Sequence, residues 1–382
     1  MAETLDKDVI EAVRRFVDRD VIPVASDLEH SDEYPHALVA KMKELGLFGA
    51  TIPVEHGGLG LSFVSYARLM AELSRGWMSL AGVINSHLIM AYVITHHGTD
   101  EQRGRFLPGM AAGEKRGGLG LTEPHAGSDV QSIRTTATRH GDSYVLKGSK
   151  MFITNARHGT MLAVAAKTDP AAKPAYAGIS LFAVEKNEHG PTVSRNIKKL
   201  GYKGIDTCEV LLDDLDVPAD NLIGGREGLG FKQVMSALEV GRINVAARAV
   251  GVGQAAFESA IRYSQQRTTF GKPICEHQAV QLMLADMGTR VEAARLMVES
   301  AAQKKDAGER CDVEAGMAKL FASEACAKIS LDAMRVLGGY GFTAEFPVER
   351  FYRDAPLMMI GEGTNEIQAL VIARGLLNRN RI

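Results

Sequence analysis

Several things are scarce in this 382-residue chain. It has one tryptophan, and Phe, Trp and Tyr together supply 6% of residues. The four cysteines, Cys208, Cys275, Cys311 and Cys326, are widely spaced with no Cys-x-x-Cys pair. That excludes a disulfide framework or thiolate zinc site and fits free thiols in a reducing cytoplasm. No excess of one charge exists: Lys+Arg is 44 against Asp+Glu at 46, a formal net charge of −2. Such a balance lacks the basic footprint of a nucleic-acid binder. No apolar run approaches the roughly 18 residues of a membrane span. The first residues, Met1-Ala2-Glu3-Thr4-Leu5-Asp6-Lys7-Asp8, are acidic rather than basic-then-apolar, so neither a secretory nor a transit leader is expected. P-loop, His-Glu-x-x-His and Gly-x-Ser-x-Gly motifs are missing, and with them the usual anchors of NTPases, zinc proteases and α/β-hydrolases. Gly339-Tyr340-Gly341-Phe342-Thr343-Ala344 fits a dinucleotide loop in spelling, but it follows a helical stretch and not a strand. His96-His97 point about 100° apart on a helix and have no further ligands in view, so no metal is expected.

What is present is an ordinary core-forming composition, 46% hydrophobic and 24% charged. The length allows two or three domains at roughly 100–200 residues each. Residues 1–117 read as helical: Ile10, Val13, Phe16 and Val17 share a face, as do Leu38, Met42 and Leu45 ahead of a Gly46 stop. A long apolar-rich stretch from Ser62 to His97 predicts further helices. Residues 118–225 change texture. Short apolar runs at 143–146, 161–166, 179–184 and 207–212 are bounded by Gly, Pro, Asn or Asp, as antiparallel strands are. From 226 to 382 helices return. Val280, Leu284, Met287, Val291, Ala294 and Val298 repeat at steps of four and three, which suits bundle packing. The fold expected is mainly α with a central β domain: a helical N-terminal domain, an antiparallel β-barrel-like middle domain and a C-terminal four-helix bundle.

Three segments carry chemistry-bearing residues. Gly120 to Asp129 mixes hydroxyls with turn residues, so its backbone can approach a ligand. Lys150-Met151-Phe152-Ile153-Thr154-Asn155 sets an aromatic beside a hydroxyl at a strand end. Gly361-Glu362-Gly363-Thr364-Asn365-Glu366-Ile367-Gln368 holds a carboxylate between two glycines, and Asn365 with Gln368 reads as a helix N-cap. With Arg267-Thr268-Thr269-Phe270-Gly271 and Gly338-Gly339-Tyr340-Gly341, these segments stand in the order and spacing of the acyl-CoA dehydrogenases, which the chain resembles over nearly its whole length.

The resemblance implies FAD, an acyl-CoA substrate, an electron-transfer flavoprotein as electron acceptor and a homotetramer. Glu362 resembles the base that removes the α-proton of the thioester. Leu119, Leu121 and Thr122 resemble the edge of the flavin site, and Phe152 and Thr154 the pair beside its ring. Arg267, Thr269 and Phe270 resemble residues that reach the FAD of a neighbouring subunit. Gly339, Thr364 and Glu366 look like part of the pyrophosphate and adenine site, where Arg335 could pair with pyrophosphate. Ser128 and Arg242 look like contacts to the CoA part, and Glu239 and Gly363 join them on the substrate side.

The chemistry explains the carboxylate. An α C–H is too weak an acid for water at neutral pH, so a positioned base with a suitable pKa is needed. Developing enolate charge needs donors, and in relatives the base's own N–H is one. Some relatives carry the base on a bundle helix, one residue before the arginine matching Arg242. Here that residue is Gly241, and Glu239 lies about 200° around the helix. Gly361 and Phe152 replace bulkier residues of relatives, and with Gly241 they suggest room for a branched or bulky acyl group. Rival expectations are an acyl-CoA oxidase, which hands electrons to oxygen, and a non-catalytic FAD-binding relative. A nitroalkane-oxidase-like enzyme is expected to have Asp at 362.

Overall fold

A run of helices comes first, then a sheet, then longer helices, in a computed structural model that describes residues 2–381. The first helices are α1 (Ala2–Phe16), α2 (Ile22–His30) and α3 (His36–Glu44), with a π-helical turn at Val17–Val21 joining α1 to α2. Val13, Phe16 and Val17 are buried as their spacing predicts. Gly46 sits just beyond α3 with φ +70°, the left-handed stop that glycine takes without a Cβ penalty.

Helix α4 (Phe63–His97) is the spine of the molecule. Its first turn is capped twice. The Ser62 hydroxyl accepts from the Ser65 N–H, and the Asp306 carboxylate accepts from Phe63 N (2.6 Å) and Val64 N (3.1 Å). The helix breaks at Trp77, whose φ and ψ are −160° and 114°. One expectation needs correcting here. By length and composition α4 could cross a membrane, although no long apolar run was expected. Its most apolar eighteen residues are 94% buried inside the protein, so it is a core helix apolar all round. Helix α5 (Asp100–Ala111) follows, opened by a Thr99–Gln102 capping box.

The sheet contains β1 (Leu119–Gly120), β2 (Thr136–His140), β3 (Ser143–Thr154), β4 (Met161–Lys167), β5 (Ile179–Glu185), β6 (Thr192–Val193) and β7 (Thr207–Pro218). Its order is β1-β4-β2-β3-β7-β6, with β5 on β4. Most pairings are antiparallel, as expected, but β1 and β2 run parallel to β4, so the sheet is mixed. The alternating faces of β4 serve two cores. Leu162, Val164 and Ala166 pack with Tyr144 and Phe182 inside the β region, while Met161, Ala163 and Ala165 join the helical core. The sheet is thereby fixed against the helices.

The last part comprises α6 (Gly230–Gln266), the small hairpin β8 (Thr268–Thr269) and β9 (Lys272–Pro273), then α7 (Gln278–Asp306), α8 (Asp312–Leu337), α9 (Val348–Ile360) and α10 (Asn365–Arg379). Helix α6 packs on α4, α7 and α8, and α8 also packs on α9 and α10. On α7, Met287, Val291, Ala294 and Val298 are buried. Gly338–Phe342 forms a 3₁₀ turn after α8, so the dinucleotide-loop spelling has no strand before it.

Candidate active site

Glu362 and Gly363 join α9 to α10, and both have positive φ, +55° and +90°. A glutamate in the left-handed region costs on the order of 1–3 kcal/mol, which the surrounding contacts must hold. Gly363 suits its place for a second reason: a Cβ there would lie 2.7 Å from Gln368 Nε2. The two residues turn the Glu362 side chain in between α4 and α6. There Asn85 Nδ2 of α4 donates to Glu362 Oε1 at 2.7 Å, and the other oxygen, Oε2, is buried without a hydrogen bond. The side chain is 15% exposed. Gly241 of α6 lies directly beneath it, and a Cβ built on Gly241 would overlap Glu362 Oε2. So Gly241 makes room for the carboxylate rather than for the acyl group, which removes one of the three residues behind the expected spaciousness.

A buried lysine holds this loop. Lys319 of α8 is fully buried and donates to Met359 O (3.1 Å), Gly363 O (2.9 Å) and Asn365 Oδ1 (2.9 Å). Burial pushes its ammonium down to about 8, against the opposing pull of Glu362 and Glu366. Gln368 Nε2 donates to Gly363 O at 3.0 Å. The N-cap of α10 is Thr364 rather than Asn365: its hydroxyl accepts from Ile367 N, while Asn365 is committed to Lys319 and Ser323. Glu366 is exposed in the first turn of that helix.

A second group forms where two loop segments meet. Met151 N–H donates to Thr122 O at 2.8 Å, which sets Leu121 and Thr122 beside Phe152. Beneath them Lys150 Nζ reaches Glu123 Oε1 at 2.7 Å, and Glu123 also accepts from Arg134 N and from Thr135 N and Oγ1. This buried pair ties the 121–123 segment to β3. Phe152 sits in the bulge between Lys150 and Ile153 with φ +61° and is 61% exposed. Thr154 pairs with Thr207 at the strand end, and Leu119 lies on β1 beside Ala163. Asn155 Nδ2 donates to Val83 O (2.7 Å), fixing this corner to α4.

A third group surrounds a cavity of about 520 Å³ lined by Tyr263, Arg267, Thr269, Gly338 and Gly339, among others. Gly339 sits with Arg267 and Thr269 in the wall of this cavity. A Cβ on Gly339 would meet nothing within 4 Å. Phe270 is 97% exposed next to them. Arg335 pairs with Asp332 at 2.7 Å.

Of the residues expected on the substrate side, Ser128 is exposed and Glu239 pairs with Lys305 at 2.9 Å. Arg242 is buried with its Nε unbonded, and burial pushes it below its ordinary value while Glu239, Asp312 and Glu362 oppose. Asn85, Arg248 and Lys319 were not found from the sequence. Arg248 and Lys319 did leave a signal, each a lone cation in an apolar helical run, Val245 to Val250 and Ala315 to Ala322.

Three family models match in order: acyl-CoA dehydrogenase N-terminal domain over residues 5–114, middle domain over 118–215 and C-terminal domain over 228–377. An acyl-CoA dehydrogenase of Bacillus subtilis is 43% identical over 366 residues, 96% of each chain. The chain belongs to the acyl-CoA dehydrogenase family. It is thus a flavoprotein oxidoreductase. Among solved structures of the family's shape, butyryl-CoA dehydrogenase from Megasphaera elsdenii superposes with a TM-score of 0.94 at 36% identity, over 98% of each chain. A chain of the electron transferring flavoprotein structure from Acidaminococcus fermentans gives 0.95 at 37% identity, again over 98% of each. The family's helix–sheet–helix order is the one described above.

Proposed function

We propose that this protein oxidises an acyl-CoA thioester to the 2-enoyl-CoA, with Glu362 as the base for the α-proton and FAD as its cofactor. The observation that carries the reading is the Glu362 carboxylate, turned between α4 and α6 by two left-handed residues, anchored through Oε1 to Asn85 and leaving Oε2 unbonded. An unbonded buried oxygen is what a proton acceptor must present. The Glu362 backbone N–H leads a loop that Lys319 and Gln368 fix through its carbonyls, so it can serve as a preset donor to enolate charge.

The residues present fit FAD. Phe152, bent outward by its positive φ, offers a ring face beside Thr122 and Thr154. The cavity at Gly338-Gly339 admits close backbone approach, and Arg267 at its wall suits a pyrophosphate. When bound, FAD would accept the β-hydride, leaving the protein to orient the substrate. Leu119 and Leu121 would complete the flavin edge. Phe270, Arg267 and Thr269 would face the cofactor of a neighbouring subunit in a homotetramer, a reading that Phe270's exposure supports.

Electrons would pass to an electron-transfer flavoprotein, and the acyl group would be branched or bulky. The second point rests on Gly361 and Phe152, since Gly241 serves the carboxylate. The direct test is anaerobic bleaching of the flavin band by a panel of acyl-CoAs, comparing wild type with Glu362→Gln. The variant should lose roughly 10²–10⁴-fold in rate. Retained bleaching would remove the central assignment, and fastest bleaching by straight short chains would remove the bulky-substrate reading. Peroxide released during turnover would point to an oxidase instead.

A further inference from the structure

Below Glu362, between α4 and α6, lies a polar cluster that the removal of an α-proton does not require. Arg248 is at its centre. It follows Gly241 by two helical turns, so both lie on one face of α6, and Asn244 stands between them. Arg248 is 5% exposed, Tyr66 1%, Tyr202 6% and Asn244 0%, all deeper than Glu362.

The guanidinium is poorly satisfied for so buried a group. Its Nε has no partner. Nη1 reaches the Tyr202 hydroxyl at 3.5 Å, the outer limit of a hydrogen bond, and Nη2 is 3.8 Å from Glu362 Oε1, beyond that limit. Glu362 spends its short bond on Asn85 instead. Around Arg248, Asn244 Nδ2 donates to the Tyr66 hydroxyl at 2.6 Å, while Asn244 Oδ1 and Asn85 Oδ1 are buried and unbonded. Burial holds the Tyr66 and Tyr202 phenols above their ordinary range, so both stay neutral. A cation kept only to support the fold would have its donors bonded, as buried polar groups nearly always do. This one presents a planar fork that no carboxylate engages closely.

We propose that Arg248 recognises a carboxylate at the far end of the acyl group, so that the substrate is a short acyl thioester carrying a second, terminal acid. The inference rests on the dehydrogenase reading above and names its substrate class, a straight diacid in place of the branched or bulky acyl group suggested by Gly361 and Phe152. Two physical points favour it. A guanidinium matches a carboxylate bidentately, better than any other side chain. And a substrate carboxylate close to an ionised Glu362 would be repelled by it; Arg248, 3.8 Å from that base, offsets both negative charges. The spacing limits the chain. With the α-carbon about 3–3.5 Å from the base and the second acid about 2.8 Å from the guanidinium, the two ends lie within roughly 10 Å of each other. Acyl groups of about four to six carbons satisfy that.

The experiment compares butyryl-CoA with succinyl-, glutaryl- and adipyl-CoA, by steady-state kcat/KM with an artificial electron acceptor and by calorimetric affinity. Wild type, Arg248→Met, Arg248→Lys and Glu362→Gln holoenzymes are used. Wild type should favour at least one of the three diacid thioesters over butyryl-CoA by 10-fold or more. Arg248→Met should lose about 10- to 100-fold more on that diacid than on butyryl-CoA, the differential expected for a charged hydrogen-bonded contact. Arg248→Lys should keep part of the preference, and Glu362→Gln should still bind the diacid thioester. Equal losses on butyryl-CoA and the diacids in Arg248→Met would mean that Arg248 merely positions Glu362, and would overturn the proposal. So would a wild type that prefers butyryl-CoA while Glu362→Gln abolishes its turnover; in that case the dehydrogenase reading stands and only the role of Arg248 falls. If no thioester in the set bleaches the flavin, the diacid proposal falls, and the dehydrogenase reading is decided by the wider acyl-CoA panel above.

Discussion

At position 241 a side chain and the Glu362 carboxylate compete for one volume. A Cβ there overlaps Oε2, and Ile89 Cδ1 is 3.4 Å from the same point. Gly241→Ala should therefore fold, because the obstructed atom is the end of a flexible side chain, yet displace the carboxylate from Asn85. The expected result is a fall in kcat of at least about 10-fold with little change in Tm, since a 1 Å misplacement alone costs rates of that order. An unchanged kcat would show that Glu362 works from another position. Asp354 makes a pH prediction. Its carboxylate accepts from Tyr202 N–H at 2.6 Å, and burial pushes it up to about 6 from an ordinary 3.8. Between about pH 4 and 6 the folded protein holds a proton there that the unfolded chain has released. The stability this group contributes therefore grows as pH falls through that window and is lost as pH rises through 6. Melting curves from pH 4.5 to 7.5 should show the Tm difference between Asp354→Asn and wild type widening in favour of the variant as pH rises.

The loop between α9 and α10 is set from outside its own sequence. Lys319 reaches it from α8 and holds Met359, Gly363 and Asn365 at once. Lys319→Met keeps the apolar stem and removes three donors. The variant should lose about 2 kcal/mol of stability, in line with charged hydrogen bonds, and about 10-fold or more in kcat, with a smaller change in KM. Equal kcat in the two proteins would relegate Lys319 to packing. The element boundaries themselves were largely legible. Periodicity and the Gly46 stop found α3, and alternation with turn residues found the strands. The Asn365 cap was misread by one residue because Thr364 and Asn365 both have capping side chains, and only the burial of Lys319 decides between them. The parallel pairing of β1 and β2 with β4 could not be read at all, since strand direction depends on how distant segments meet.

Exposed apolar side chains on the C-terminal part bear on assembly. Phe270, Leu282, Phe342 and Leu377 are 97%, 66%, 86% and 72% exposed. Such exposed apolar groups are what a contact between subunits would cover. Light scattering should find a tetramer. Phe270→Asp should shift it toward smaller species and weaken FAD retention by about 10-fold or more, since a charge at an apolar contact costs at least that much. A variant that remains tetrameric and keeps its FAD would place Phe270 outside the interface.

By itself the sequence determined the helix–sheet–helix order and the family and singled out Glu362 as the candidate base, because periodicity, turn residues and motif spacing are local properties. It also marked Gly241 as unusual. Only the tertiary structure decided what Gly241 is for, since that depends on a carboxylate 121 positions away turning back over α6. The same holds for Asn85, Arg248 and Lys319. Arg248 and Lys319 each stand as a lone cation in an apolar helical run, which hints at burial, but nothing local says that they reach Glu362, and Asn85, beside Ser86 and His87, leaves no such hint. Long-range packing of α4, α6 and α8 brings them to Glu362, and with them the features that bear on which thioester the site accepts.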